Sequence, residues 1–267
     1  MATAFDKVWN GSTSTLWELA ANWTPAVIPA TTQRVLIPAG TPSIDATGMV
    51  DKDLTSFYVA PGYTGNIGST SVRATFSAVD LVHKGSGKLC LSEGAGATTN
   101  VVVDAPGNND AIDITGSLTN LYLLRGAATI SGAGSYTLII VGYRGSQAGD
   151  ATLTIASSGG TQTRIIQYGG RVTNASAVTT LDEIAGTFIQ QVGTAITTAN
   201  VGGGGNAILQ YESNSTMTTC RTFAGGMLDV AKNRNAIVIV TNLFQFPGSQ
   251  LVEDPQLLTV TNRYDWR

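Results

Sequence analysis

Short segments in which apolar and polar residues alternate, each interrupted by glycine, run through the second half of this chain. In one of them, Thr180–Ile184 leads to Gly186, and Thr187–Val192 follows. Alternation with a period of two residues is typical of a strand that buries one face. The pattern therefore predicts pairs of short strands that meet at a glycine.

These segments form an internal repeat. Each copy opens on an apolar residue followed by Thr-Thr or Thr-Asn, at Leu118, Val178, Ile196, Met217, Val240 and Val260. From Val178 onward, successive copies begin at similar intervals. A glycine lies eight residues after each of the first five starts, and a less regular copy adds one more; the repeat glycines are Gly126, Gly169, Gly186, Gly204, Gly225 and Gly248. Such a glycine predicts a corner where positive φ or close backbone approach excludes a Cβ atom.

Repeats of about 20 residues that contain short strands and no helix are typical of solenoids. We therefore predict an all-β protein with a β-solenoid (parallel β-helix) fold, in which each coil stacks on the one before. An antiparallel sandwich or jelly roll also uses short, closely spaced strands and is the alternative. The phased repeat favours the solenoid.

The N-terminal segment, 1–60, has a different composition. Three tryptophans and four prolines are concentrated there: Trp9, Trp17, Trp23, Pro25, Pro29, Pro38 and Pro42. A strand is predicted at 34–37 and a single helical turn within 17–23. We expect 1–60 to form a Trp/Pro-rich cap or attachment segment, 61–262 to form the β-solenoid, and 263–267 to form a C-terminal tail.

The tryptophans have two possible roles. The open apolar end of a solenoid must be covered, so Trp9, Trp17 and Trp23 are expected to belong to an aromatic cap. In the alternative hypothesis, the three rings are partner-binding residues that form a platform for a sugar or a protein.

Charge and hydropathy narrow the range of partners. Only 12% of the chain is charged, and the net charge is −3; soluble domains average roughly 25% charged residues. Because no basic cluster is present, nucleic acid is not expected as a partner. No apolar run approaches the ~20 residues that span a bilayer, so a membrane is not expected either. The first residues contain no apolar segment typical of a signal peptide, and we expect assembly in a cytoplasm.

Candidate nucleophiles and metal ligands are few. His83 is the only histidine, so a Ser-His-Asp or Cys-His arrangement would have to include it. Because it stands where a strand runs into a turn, we expect it at the surface. Cys90 and Cys220 are far apart in the sequence, and we expect two buried free thiols rather than a disulfide. No catalytic residue, metal site or cofactor is predicted.

Paired carboxylates could cleave a polysaccharide if they lay ~5–10 Å apart on neighbouring coils. The candidates are Asp104, Asp110, Asp113, Asp182, Glu183, Glu212 and Asp229. Asp182 and Glu183 are consecutive in a strand and should point to opposite faces. Solvated turns and ladder positions explain the whole set. A calcium site formed by residues 108–113 would lack the glycine and the terminal glutamate of a known calcium loop.

The opening residues resemble the entry segment of bacterial and phage parallel β-helix proteins; these residues are Trp9-Asn-Gly, Leu16-Trp17, Ala21-Asn22-Trp23, Pro29 and Arg34-Val35-Leu36-Ile37. The runs at 63–68, 85–89 and 118–126, with the Thr-Thr and Gly-Gly copies between 161 and 230, are similar to uncharacterised β-helix structural proteins of tailed bacteriophages. The resemblance extends over nearly the whole chain. It implies a structural component of a virion and brings no catalytic residues with it.

The leading hypothesis is thus a non-enzymatic phage virion protein, specifically a capsid decoration or cement protein. Its expected partners are the major capsid protein or other virion proteins and further copies of itself, with a homotrimer favoured. The alternative is a tail fibre or tailspike-type protein that binds host surface carbohydrate, with cleavage as the weaker option. A third hypothesis is a bacterial surface adhesin or S-layer fragment.

Overall fold

The structure, a computed structural model, describes residues 5–94, 96, 98–143, 150–232 and 236–266. Strands account for 53% of the residues and form a parallel β-solenoid of about 11 turns, so the predicted fold is confirmed. The chain divides into two compact units, Met1–Ser131 (unit 1) and Gly132–Arg267 (unit 2).

Unit 1 begins with very short strands and continues with longer ones. The strands in its described residues are β1 (Lys7–Trp9), β2 (Trp23–Thr24), β3 (Arg34–Ile37), β4 (Asp53–Val59), β5 (Ala74–His83), β6 (Leu89–Glu93), β7 (Asn100–Asp104), β8 (Ile112–Thr115) and β9 (Leu118–Ile130). The predicted helical turn is present as a three-residue 3-10 turn at Ala20–Asn22. The predicted strand at 34–37 is β3.

Unit 2 is built from strands of more even length. Those in its described residues are β10 (Tyr136–Val141), β11 (Ala151–Ile155), β12 (Thr161–Gln167), β13 (Arg171–Asn174), β14 (Ala177–Glu183), β15 (Gly186–Gln190), β16 (Ile196–Val201), β17 (Ala207–Tyr211), β18 (Ser215–Thr222), β19 (Gly226–Asp229), β20 (Val238–Gln245), β21 (Gln250–Val252) and β22 (Leu258–Asp265).

In unit 2 each coil contributes one strand to each of two parallel sheets. The first sheet stacks β10, β12, β14, β16, β18, β20 and β22 in that order. The second sheet stacks β11, β13, β15, β17, β19 and β21. Backbone hydrogen bonds between coils thus run along the solenoid axis, and the side chains alternate between the interior and the outer face.

The register of the first sheet confirms the phase of the repeat. The apolar residues that open the copies stack directly on one another: Val178 pairs with Ile196, Ile196 with Met217, Met217 with Val240, and Val240 with Val260. The interval between copies is therefore the length of one coil. The Thr and Asn residues that follow occupy the next positions of each coil.

The repeat glycines mark corners, with a correction at two of them. Gly126, Gly186, Gly225 and Gly248 have positive φ. A Cβ atom at Gly186 would lie 2.5 Å from the carbonyl oxygen of Gly170, so the corner admits no larger residue. In the copies that contain Gly169 and Gly204, positive φ occurs instead at the adjacent glycines, Gly170 and Gly203.

In unit 1, β3, β4, β5, β7 and β9 stack in parallel, and β6 and β8 continue a second sheet between parts of β5 and β9. β1 pairs in parallel with β3 and thereby covers the edge of β3. On its other side, β1 pairs antiparallel with β2. Stacking therefore already includes β3 and β4, before the predicted start of the solenoid at residue 61. At the other end of the chain, β22 extends to Asp265, within the predicted tail.

The aromatic cap of unit 1 is a packed cluster. The rings of Trp9 and Trp17 meet Trp23 edge to face, with centroids 5.1 and 4.6 Å apart. Trp17 also stacks on Phe76, which contacts Phe57 with a centroid distance of 4.5 Å. The cluster joins the first residues of the chain to the coils formed by β4 and β5.

Candidate functional site

The three tryptophans predicted to bind a partner are not on the surface. Trp9, Trp17 and Trp23 are each at most 1% exposed. The indole nitrogen of Trp9 donates to the carbonyl of Pro42 (3.1 Å), and that of Trp23 donates to the carbonyl of Trp17 (2.8 Å). Because all three rings are buried within unit 1, the partner-binding assignment is corrected to a core role.

His83 is also buried, and the expectation of a surface histidine is wrong. The ring shares a hydrogen bond of 3.0 Å between Nε2 and the carbonyl oxygen of Gly87. Because burial disfavours the charged imidazolium, the pKa of His83 is lowered to about 4. A neutral histidine sealed from solvent has no access to a substrate, so it offers no base for nucleophilic catalysis.

The candidate carboxylates of unit 1 form ion pairs. Asp104 accepts from Nε of Arg125 (2.6 Å), Asp110 from Nζ of Lys88 (2.8 Å), and Asp113 from a guanidinium nitrogen of Arg73 (3.1 Å). Each of the three carboxylates therefore lies in a strand or a turn where a positively charged side chain pairs with it. Throughout the described ranges, no group of three or more His, Cys, Asp and Glu side chains is placed to hold a metal ion.

Asp182 and Glu183 of unit 2 point to opposite faces of the strand, as their consecutive positions predicted. Asp182 points outward and accepts from Nε of Arg164 (2.8 Å) and from the amide of Asn200 (2.7 Å). Its neighbour Glu183 is fully buried. These two groups cannot act together on one bond of a substrate.

The remaining candidates of unit 2 are bound by amide side chains. Glu212 accepts from Nε2 of Gln191 (3.0 Å), and Asp229 accepts from Nε2 of Gln210 (3.1 Å).

The two cysteines, Cys90 and Cys220, are free and buried, as predicted. Burial raises the pKa of the Cys220 thiol to about 12, so it is not a reactive thiolate near neutral pH.

The outer face of the first sheet of unit 2 carries a set of aromatic rings, which we call the aromatic stack. Its members are Phe223, Phe244, Phe246, Tyr264 and Trp266. The register that pairs Arg221 with Phe244 and Phe244 with Tyr264 places these side chains in one column. The other three rings form a second column, two residues further along each coil.

The stack is nearly parallel within each column. Phe244 lies on Tyr264 with centroids 4.6 Å apart and planes 9° apart. Phe223 lies on Phe246 at 4.9 Å, and Phe246 on Trp266 at 5.1 Å. These separations match the ~4.8 Å between neighbouring strands. The guanidinium of Arg221 lies 5.6 Å from the Phe244 ring centroid and extends the first column.

The last two rings of the stack are the most exposed. Tyr264 is 42% exposed and Trp266 is 53% exposed. They are side by side at the end of the chain, with centroids 6.1 Å apart and planes only 14° apart. Around them, Asn262 donates to Asn242 (2.9 Å) and Arg263 to Glu253 (2.6 Å). This combination of a flat apolar surface with a polar rim is typical of contact sites.

Sequence reasoning missed the stack, although a signal for it was present. Phe244 and Phe246 recur as Tyr264 and Trp266, one repeat later in the chain. Two aromatic positions separated by two residues and repeated at the coil length must form two stacked columns. Other aromatic residues of the repeat, Phe188 and Tyr211, are in the core, so an aromatic residue in a coil does not by itself indicate a surface ring.

Comparison with protein-family models, with curated proteins and with solved structures found no match to this chain. Within the described residues, no helix has the length and apolar character needed to cross a membrane.

Proposed function

We propose that this chain is a non-enzymatic structural protein of a tailed-phage virion, a decoration or cement protein that stabilises the head. Its partners in this proposal are the major capsid protein and further copies of the chain, in a trimer or another symmetric oligomer, and no cofactor is required. The resemblance of the sequence to β-helix phage proteins supports the proposal. The compatibility of a solenoid with structural roles supports it as well.

The aromatic stack is the observation that carries the proposal. A cement protein acts by burying surface on its neighbours, and bound protein then stabilises the shell by mass action. Tyr264 and Trp266 offer the exposed aromatic area that contact requires, whereas the tryptophans of unit 1 do not. Aromatic residues at the centre of an interface commonly cost about 2 kcal/mol or more of binding energy when truncated.

The test uses particles of the virus that encodes the chain, from which the chain has been removed. Adding back the wild-type protein should raise the temperature at which the particles open, and adding the Tyr264→Ala/Trp266→Ala variant should not. Tyr143→Ala is the matched control, since Tyr143 is 44% exposed in the same unit but lies outside the stack. If stripped particles open at the same temperature with and without wild-type protein, the cement role is wrong.

A second candidate function is a tail fibre or tailspike-type protein that binds host surface carbohydrate. The near-coplanar rings of Tyr264 and Trp266 favour it, because the apolar face of a pyranose ring packs on a flat aromatic surface while its hydroxyls bind a polar rim. A glycan array probed with wild type and with Trp266→Ala tests binding, and a reducing-sugar assay on host polysaccharide tests cleavage. Glycan binding that depends on Trp266, without particle stabilisation, would favour this function over cementing.

A further inference from the structure

Glu183 is the last residue of β14, and its side chain points into the interior of unit 2. It is fully buried. The preceding residue, Asp182, points outward to Arg164, which is therefore on the other side of the sheet. A carboxyl group in this position needs interior partners for both of its oxygens.

The two carboxyl oxygens of Glu183 differ in their hydrogen bonds to the described residues. Oε1 accepts from the backbone N–H of Phe188 (3.1 Å) and of Ile208 (2.9 Å). Oε2 is buried with no hydrogen-bond partner among the described residues. An ionised carboxylate would thus leave one of its two oxygens without a donor in the interior of the solenoid, which is strongly unfavourable.

Gln167 occupies the same position one coil earlier, and it also has a buried side-chain oxygen without a hydrogen-bond partner among the described residues. In the first sheet it pairs in register with Glu183. Its Nε2 donates to the carbonyls of Gly170 (3.1 Å) and Thr187 (3.2 Å), which fixes the orientation of the amide. Its Oε1 is buried and has no donor within the described residues. The register therefore places two residues on neighbouring strands, each with a buried oxygen that has no hydrogen-bond partner among the described residues.

We propose that Glu183 is a carboxylic acid in the folded protein and that its Oε2–H donates a hydrogen bond to Oε1 of Gln167. A single proton then satisfies both orphaned oxygens and links the coil of β12 to the coil of β14. Without that proton, two buried acceptors on neighbouring strands would both lack a donor among the described residues.

Within the described part of the chain, no cation contributes to the pKa of Glu183. Among the described residues, the ionisable groups whose pKa values respond to the charge of Glu183 are Tyr211 of β17 and Cys220 of β18. Burial raises the pKa of both, so both are neutral near pH 7. The neighbouring Arg221 points outward, over Phe244. Burial likewise raises the pKa of Glu183 well above its usual range, although the two amide donors oppose the shift.

The link makes unit 2 respond to pH. Since the pKa of Glu183 is higher in the folded than in the unfolded chain, its contribution is fully present below the unfolded value, near 4.5. The contribution is lost as pH rises from there through the raised folded value. In that window the folding equilibrium constant should fall by up to about tenfold per pH unit on account of this one group. The contribution of Glu183 to the stability of unit 2 is therefore largest in mildly acidic solution.

The experiment measures hydrogen exchange of β12 and β14 amides in the full chain between about pH 5 and pH 8, corrected for intrinsic exchange rates. In wild type, protection should decrease as pH rises. In Glu183→Gln, whose amide donates at every pH, this dependence should disappear. Glu212→Gln is the matched control, since it neutralises an exposed glutamate of the same unit and should keep the wild-type dependence. The titrations of Tyr211 and Cys220 lie above this window.

Infrared difference spectroscopy gives a second readout that does not depend on stability. The folded wild type at neutral pH should show the carbonyl band of a protonated carboxyl group. The band should be absent in Glu183→Gln and shifted in Gln167→Met, which removes the acceptor. A wild-type protein without that band at neutral pH, or identical pH profiles for wild type and Glu183→Gln, would overturn the proposal.

Discussion

Units 1 and 2 share one fold but differ in where their clusters of tryptophan and neighbouring aromatic rings lie. In unit 1, Trp9, Trp17 and Trp23 are sealed in the core. In unit 2, Tyr264 and Trp266 end an exposed stack on the outer face. Buried rings stabilise the unit that contains them, whereas exposed rings are available to another molecule. The contrast is why the proposed contact surface of the chain lies in unit 2.

The units also differ in which ionisable groups they bury. Unit 1 buries His83, whose pKa is lowered to about 4. Unit 2 buries Glu183, whose pKa is raised. Both groups are most stable in the neutral form, but a neutral histidine is favoured by high pH and a neutral glutamate by low pH. The two units should therefore respond to pH in opposite directions.

The largest expected difference concerns the tryptophans. Trp17→Ala should destabilise unit 1 by about 3–5 kcal/mol, because it leaves a cavity among Trp23, Phe57 and Phe76. Trp266→Ala should cost unit 2 about 1 kcal/mol or less, since the ring is half exposed and loses only stacking contacts. Denaturant unfolding of both variants measures the difference. Equal losses would remove the distinction between a core cluster and a surface stack.

The next effect comes from His83 and appears on acidification. Because its folded pKa is below the unfolded value of 6.5, its stabilisation is present above 6.5 and is lost as pH falls through about 4. The loss should be on the order of 3 kcal/mol, from the size of the shift. Hydrogen exchange of β5 in wild type and in His83→Gln checks it. A wild-type β5 that is as well protected at pH 4 as at pH 7 would contradict the assignment.

A smaller effect is expected at the edge of the aromatic stack. Replacing Arg221 with Leu removes the cation over Phe244 and should cost partner binding about 0.5–2 kcal/mol while leaving unit 1 unchanged. Arg221→Lys retains the charge and should recover part of the loss. Affinity for stripped particles or for the glycan identified on the array is the measurement. A loss larger than that of Trp266→Ala would move the centre of the contact surface to Arg221.

The smallest effect should be the same in both units. Asn120 donates to Asn100 in unit 1, and Asn262 donates to Asn242 in unit 2, each at 2.9 Å. Replacing either donor with alanine should cost about 0.5–1.5 kcal/mol, the usual net value of one hydrogen bond. Thermal unfolding of the two variants measures it. Strongly unequal losses would show that the outer ladders also differ between the units.

The repeat could be predicted from sequence because its period is a direct consequence of stacking. The apolar residues at Val178, Ile196, Met217 and Val240 are in register because each coil must place the same kind of side chain inside. The positions of the corner glycines could be predicted from the same constraint. In two copies the predicted position was wrong by one residue. Local spacing thus determined the fold.

The orientation of individual side chains was harder to predict. His83 is the last residue of β5, in which Leu81 is buried. The two-residue alternation places His83 inside as well, but the turn that follows it suggested the surface. The tryptophans of unit 1 could be recognised as a cluster by composition, yet only the packing against Phe57 and Phe76 shows that they face inward. Whether an aromatic group is core or contact surface depends on neighbouring coils.

A cryo-EM map of the virus particle that carries this chain, at side-chain detail, tests the central claim most directly. The account predicts that the chain lies on the head and that a neighbouring protein covers Tyr264 and Trp266, while Trp9, Trp17 and Trp23 remain inside unit 1. A map in which the aromatic stack faces solvent and the particle contacts come from unit 1 would contradict it.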